Sequence, residues 1–344
     1  MKKIGIKTAN ADYDVVIGAN LRQLPEFLDL EHAFAVTESC VQQQWGQADI
    51  KIPVQVLEGG EQLKSLSSLE NIYQLFLRQQ LDKASTVIAV GGGAFTDAIS
   101  FAAATFHRGI ACVTVPTTLL AQVDASIGGK NAINFGGVKN LIGTISQPKL
   151  VLCDLAFLNT LPKSAISNGM AEVIKAAIIK DPTLFEFIRV NYAAILDLDE
   201  EVMEPVLSRA IQVKADIVSA DEFESGERMK LNLGHTIGHA LEAAYNLEHG
   251  QAVAYGMVLE SKLAANLGLC SPSLVGQVAD LCNQFNLKNE IDFDPEQVMD
   301  LMLQDKKRRA ETINFALPKA IGEVHIYPIA INEIKKHLSN LCLN

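Results

Sequence analysis

The stretch STVIAVGGGAFTD (85–97) constrains the fold most. A β-branched apolar run closes on three consecutive glycines and passes directly into a helical pattern, DAISFAAATF (97–106). Continuous apolar strands of this kind belong to parallel sheets whose crossovers are helices. The surrounding chain repeats the alternation. AFAVTES (33–39) and GIACVTVP (109–116) are short buried strands, and KSLSSLENIYQLFLRQQL (64–81) has the period of an amphipathic helix. Residues 1–158 are therefore expected to form an α/β, Rossmann-like domain with a mostly parallel sheet.

From about Leu161 the pattern becomes helical, in NGMAEVIKAAIIK, MEPVLSRAIQVKADIVSA, LNLGHTIGHALEAAY and AYGMVLESKLAANLG. TINFALP (312–318) is the clearest strand candidate there. An all-helical or mainly helical second domain is expected over 159–344, with no internal repeat or low-complexity tract.

The 344 residues are enough for two domains with large cores. A net charge of −11 without a basic run excludes a general nucleic-acid binder. The six cysteines contain no CxxC pair, which fits reduced thiols better than a disulfide frame or zinc ribbon. No signal-like apolar region and no run of eighteen apolar residues are present. A cytoplasmic protein is expected.

Glycines at a strand end let backbone approach a ligand, and the following helix offers free N–H groups to an anion. Gly91, Gly92 and Gly93 are thus compatible with a pyrophosphate site, or simply with a tight strand–helix turn. VPTTLLAQVDASIGGKNAIN (115–134) carries more chemistry: Thr117 and Thr118 at a strand end, Asp124 amid small residues, and Lys130 after two glycines. Lys139 and Asn140 follow. Such polar groups in a glycine-rich segment favour a ligand site over a solvated loop.

LNLGHTIGHALEAAYNLEHGQAVAYG (231–256) holds three of the seven histidines. Asn232, His235 and His239, at i, i+3 and i+7, would share one helix face, with Arg228 one turn earlier. That is too polar for a core face and points to a metal or catalytic site. His235 and His239, four apart, could both face one centre. A zinc-type site needs a further ligand, commonly a carboxylate. Glu172, among apolar residues and one turn from Lys175, is a candidate, although an ordinary Glu–Lys pair explains it equally.

Taken together, GGEQLKS, GGGAFTD, RGIACVTVPTTLLAQVDASIGGKNAIN, VKNLIG, NGMAEVIK, DEFESGERMKLNLGHTIGHA, HGQAVAYGM and DKK resemble, in order, the 3-dehydroquinate synthases. These are sugar-phosphate cyclases of the shikimate pathway, and the resemblance spans nearly the whole chain. It implies an NAD-binding α/β domain followed by a metal- and substrate-binding helical domain. The metal ligands would be Glu172, His235 and His249, holding zinc or cobalt, which leaves His239 as a substrate-contacting group. NAD would contact Gly59, Gly60, Glu61, Gln62, Leu63 and Lys64. Further contacts would come from Gly92, Gly93, Ala94, Phe95, Thr96 and Asp97. Thr117, Thr118, Lys130, Lys139, Phe157, Leu158, Asn159 and Thr160 complete the cofactor set. Ala94, Phe95, Thr96 and Asn131 depart from the family's usual residues.

The resemblance also implies the substrate, 3-deoxy-D-arabino-heptulosonate 7-phosphate. Lys214 and Arg228 suit its carboxylate. Arg108, Asn140, Asn232, His239 and Lys306 suit its phosphate, while Asp124, Lys130 and Lys175 complete the catalytic set. Arg108 looks like a residue that reaches the neighbouring subunit's site, implying a homodimer. The implied reaction is a transient oxidation by NAD, β-elimination of phosphate, re-reduction and intramolecular aldol closure. A cyclase for a substrate lacking the carboxylate, a metal-dependent polyol dehydrogenase that releases NADH, and an inactive sugar-phosphate sensor are the competing readings.

Overall fold

Eleven strands can be placed in the computed structural model, which describes residues 1–288, 290–305 and 311–342. They are β1 (Lys2–Lys7), β2 (Asp12–Ile17), β3 (Ala33–Glu38), β4 (Val54–Leu57), β5 (Thr86–Gly91), β6 (Ala111–Pro116), β7 (Lys130–Phe135), β8 (Val138–Ile145), β9 (Leu150–Cys153), β10 (Thr312–Ala320) and β11 (Glu323–Ala330). Seven form one sheet in the order β1-β2-β9-β6-β5-β3-β4. All its pairings are parallel except the edge pair β1–β2.

All six residues of β5 are buried, because both sheet faces are covered. Val87 and Ala89 face a core containing Phe76 and Phe95. Ile88 and Val90 face another containing Trp45 and Phe157. Period-two alternation sends neighbouring side chains to opposite cores, so the strand is apolar throughout. From β3 the chain moves outward to β4, whereas from β5 it moves the other way to β6. The carboxyl ends of β3 and β5, at Glu38 and Gly91, therefore flank a topological switch point, where open α/β sheets bind ligands.

One segment departs from its expected form. Lys130 to Asn140 reads as a glycine-rich loop but forms the antiparallel hairpin β7–β8. Gly136 and Gly137, at φ 62° and 81°, make its turn, which L side chains disfavour at both positions.

The chain divides into two compact units, Met1–Pro162 with Met203–Phe223, and Lys163–Val202 with Glu224–Asn344. This differs from a single cut at 158/159, because much of the helix Glu200–Ala220 groups with the α/β unit. The Lys7 amide bonds Ser219 Oγ at 3.3 Å, and Lys214 Nζ bonds the Asp124 carbonyl at 2.6 Å. Helical period shows that a face is buried, not what covers it.

Among the described residues, the second unit is helical apart from the antiparallel hairpin β10–β11. TINFALP lies in β10, and its partner β11 mixes polar and apolar residues enough to escape notice. Ile237, Leu241, Leu259, Leu263, Phe315 and Leu338 pack in this unit's core.

Candidate metal centre and cofactor-binding turns

Three helices of the second unit supply the residues of interest: Lys163–Lys180 with Glu172, His235–Tyr245 with His235 and His239, and His249–Asn266 with His249. Glycines bring them close. A Cβ on Gly256 would overlap the Gly234 carbonyl oxygen, one on Gly238 would lie 2.8 Å from the Ala252 oxygen, and one on Gly250 would overlap Asn168. The helices approach as nearly as bare backbone permits.

Glu172 is 2% exposed and pairs with Lys175, itself 3% exposed. Its Oε1 lies 3.5 Å from Nε2 of both His235 and His249. That is too long for a good hydrogen bond, so Oε1 is buried without one among the described residues, while Oε2 faces the Lys175 ammonium. The other imidazole nitrogens are engaged. His235 Nδ1 is 3.1 Å from the Leu233 carbonyl, and His249 Nδ1 is 3.0 Å from Glu242 Oε2. Tying Nδ1 directs each Nε2 lone pair inward, as outer hydrogen bonds do for metal-binding histidines.

The donor atoms of Glu172, His235 and His249 all lie within 4.8 Å of one another. One carboxylate and two imidazoles suit a zinc-type ion with a position left for substrate. The under-bonded carboxylate is what such an ion would satisfy. The residues fit.

The electrostatics agree. Burial raises the Glu172 carboxyl, but Lys175 and the imidazoles outweigh it and hold the group well below the ordinary carboxylate range. Burial, reinforced by Lys175, keeps His235 well below the ordinary imidazole value, so it is neutral. Burial also pushes His249 down, but Glu172 and Glu242 raise it to about 9. In the metal-free protein His249 holds a proton between two carboxylates, which a bound cation would replace.

The predicted face of Asn232, His235 and His239 forms only in part. The helix starts at His235, while Asn232 lies in the preceding 3₁₀ turn Glu227–Asn232. Gly234, at φ 78°, separates the two. His239 is exposed and belongs with Glu242 and His249 to a second group of donors. Asn232 Nδ2 donates to Glu224 Oε1 at 2.9 Å, and Arg228 is 2% exposed. Lys306 lies outside the described residues.

The predicted cofactor residues gather in the α/β unit. Lys64 Nζ contacts Asp97 Oδ2 and Asn140 Oδ1, and Asp97 Oδ1 accepts the Ala132 amide at 3.2 Å. The Gly59–Lys64 turn, the helix Gly93–Thr105 and the β7–β8 hairpin are thus joined. Burial raises the Asp97 carboxyl, and Lys64 offsets part of that rise. Two predicted residues have other uses: Phe95 is packed in the sheet core, and the Thr96 hydroxyl donates to the carbonyls of Gly92 and Gly93 at 3.1 Å. The Thr96 amide is also spent, on the Gly92 carbonyl at 2.9 Å, so it is the first-turn amides before it that the helix offers to a phosphate. Thr117 and Thr118 follow β6, with the Thr117 amide on the Gly91 carbonyl at 3.0 Å. Phe157 and Leu158 are buried, and the Thr160 hydroxyl donates to the Phe157 carbonyl at 2.7 Å.

Asp124 lies in a π-helical turn, and its Oδ1 is 2.5 Å from Lys214 Nζ. Lys130 and Lys139 are exposed on β7 and β8. Arg108 is exposed at φ 62°, after His107 at φ 50°.

Reasoning from sequence missed Glu38 and Glu242. Glu38 Oε2 accepts the Gly92 amide at 2.8 Å, placing an acid beside the glycine turn. An acidic residue ending a buried strand of the α/β pattern was the available signal, whereas its place beside Gly92 is set only by folding. Glu242, one turn after His239 on a histidine-bearing helix, could have been found as an outer partner.

Residues 54–168 match the family model for the 3-dehydroquinate synthase N-terminal domain, and residues 169–308 match the C-terminal one. Curated 3-dehydroquinate synthases are similar over most of the chain. That of Pyrobaculum neutrophilum is 41% identical over 83% of this chain and 84% of its own. That of Shewanella loihica is 39% identical over 95% and 96%. Among solved structures, 2-epi-5-epi-valiolone synthase from Streptomyces hygroscopicus subsp. jinggangensis, with NAD⁺ and Zn²⁺ bound, has a TM-score of 0.87 at 27% identity, covering 100% of this chain and 99% of that one. A 2-deoxy-scyllo-inosose synthase complexed with carbaglucose-6-phosphate, NAD⁺ and Co²⁺ also gives 0.87, at 25% identity over 98% and 100%.

Proposed function

The chain belongs to the 3-dehydroquinate synthase family, and from that premise we propose that it converts 3-deoxy-D-arabino-heptulosonate 7-phosphate to 3-dehydroquinate and phosphate. The reaction is a carbon–oxygen lyase reaction dependent on NAD and one divalent ion, zinc or cobalt. The observation that carries it is Glu172, buried and under-bonded, with two imidazole Nε2 atoms 3.5 Å away. When bound, the ion acidifies and orients a substrate hydroxyl, and NAD takes up and returns a hydride.

The chain's own residues bind and orient. Glu172, His235 and His249 hold the ion, and Lys175 stands on the remaining Glu172 oxygen, where it polarises the substrate or carries a proton. Arg228 grips the substrate carboxylate bidentately, assisted by Lys214, which Asp124 orients. Arg108, Asn140, Asn232, His239 and Lys306 take the phosphate. The amides of Gly93 and the residues after it in the first helical turn take the pyrophosphate of NAD, and Glu38 and Lys130 lie in the same unit for its remaining polar groups.

The protein acts as a cytoplasmic homodimer in which Arg108 serves the neighbouring subunit. Phe135, Val138 and Leu141 on β7 and β8 are each about half exposed, an apolar surface that a second copy would cover. No helix among the described residues is long and apolar enough to cross a membrane.

The test is to mix metal-loaded protein with NAD⁺ and the heptulosonate phosphate. Phosphate and dehydroquinate are expected in equal amounts with no net NADH. Phosphate without the carbocycle, or accumulating NADH, overturns the assignment.

A further inference from the structure

The helix His235–Tyr245 begins without a cap of its own. Its N-cap is Gly234, which has no side chain to accept the free amides of the first turn. The acceptor comes from elsewhere in the unit. Glu260 Oε2 takes the Gly234 amide at 2.6 Å and Oε1 the Ile237 amide at 3.2 Å. Glu260 is 0% exposed. A carboxylate so deep is costly unless charge-assisted hydrogen bonds and a helix N-terminus compensate it, and both are present.

Glu260 lies on the helix His249–Asn266. It follows His249 by eleven residues, about three turns, so the two side chains leave nearly the same face. One helix thus carries His249 and also the carboxylate that fixes the amides on either side of His235. Gly234 sits against Gly256 and Met257 of that helix, leaving no room for a bulkier cap.

The geometry points to Glu260 as a positioning residue for the metal centre: by clamping the amides of Gly234 and Ile237 it sets where the His235 imidazole stands relative to His249. This deepens, and rests on, the reading of Glu172, His235 and His249 as metal ligands. Glu260 touches neither ion nor substrate and acts through His235. Both of its oxygens are needed, because the side-chain amide of a glutamine offers one acceptor for the two N–H groups.

The test uses the full-length protein and Co²⁺ as probe. Dissociation constants are measured by competition with a chromophoric chelator, and visible d–d spectra are recorded for wild type, Glu260→Gln and Leu263→Ala. The last variant truncates a core side chain of the same helix and controls for loss of stability alone. Glu260→Gln is expected to weaken Co²⁺ binding about tenfold and shift the spectrum. It should lower kcat while KM for the substrate changes less than twofold. Leu263→Ala should lower Tm with affinity and spectrum unchanged. If Glu260→Gln yields no folded protein, Glu260→Asp, with a shorter reach, is read in the same way. Wild type that binds Co²⁺ beside a Glu260 variant with affinity within twofold and an identical spectrum overturns the positioning role alone. Wild type that binds no Co²⁺, or binds it undiminished after Glu172→Gln, removes the centre itself and this role with it.

Discussion

Nδ1 of His249 lies 3.0 Å from Glu242 Oε2, while Nε2 of the same ring lies 3.5 Å from Glu172 Oε1. One imidazole is held between two carboxylates, and the outer one decides which nitrogen is free for a cation. Replacing Glu242 by Gln keeps the shape but removes the charge that orients the ring. Metal affinity should fall by about ten- to a hundredfold. Chelator competition measures it, and an unchanged affinity would show that Glu242 merely caps a surface histidine.

Glu172 and Lys175 are both buried, so removing the acid leaves an ammonium group without its partner. In metal-free protein Glu172→Ala should cost about 3–5 kcal/mol of stability. Replacing both residues, as in Glu172→Leu with Lys175→Met, should recover most of that. Urea unfolding of the two variants decides it. Equal stability of the single and double variants would sink the argument.

Gly256 permits the contact with Gly234 that brings the His235 helix onto the His249 helix. Gly256→Ala should destabilise the protein by about 1–3 kcal/mol through overpacking. Thermal unfolding reports this, and cobalt binding should weaken in parallel because the imidazoles are forced apart. A variant as stable as wild type refutes the close-packing account.

Burial raises the thiol of Cys112 to about 11 and that of Cys282 to about 12, and moves Cys153 upward as well. Only the thiolate reacts, and a pKa near 11 leaves about one part in a thousand ionised at pH 8. These three thiols should be silent to a thiol reagent in native protein and react on unfolding. The sign for stability follows. Below the ordinary thiol pKa both states keep the proton. Above it the unfolded chain ionises first, so stability falls as pH rises from about 9 towards 11. Rapid native labelling of Cys112 at pH 8 is the contrary outcome.

If Arg108 completes the neighbouring site, Arg108→Ala and Glu172→Gln subunits, each inactive alone, should rescue each other when mixed. Random reassortment gives one intact site in each mixed dimer, hence about a quarter of wild-type turnover in a closed two-fold assembly. Turnover after denaturation and joint refolding measures it. No recovery despite demonstrated exchange means that Arg108 acts within its own chain.

The strands and helices of the parallel sheet were legible in the sequence because burial on both faces writes a continuous apolar run, and helical crossovers write a 3.6-residue period. That information is local. The chemistry of the histidine segment was legible too, since three imidazoles and an asparagine have no place on a core face. Which atoms meet is not local. Glu172 and His249 are brought together by helices that close on Gly234, Gly250 and Gly256, and one-dimensional spacing suggested His239 equally well. Lys214 joins the α/β unit because its face is covered there, a fact absent from its own helical pattern. Glu38, Glu242 and Glu260 read as ordinary acidic residues until folding sets each against a particular amide or ring. The sequence thus determined the elements and the kinds of donor available, whereas tertiary packing alone decided which carboxylate bonds which nitrogen, because a carboxylate's partner depends on approach through space and not on separation along the chain.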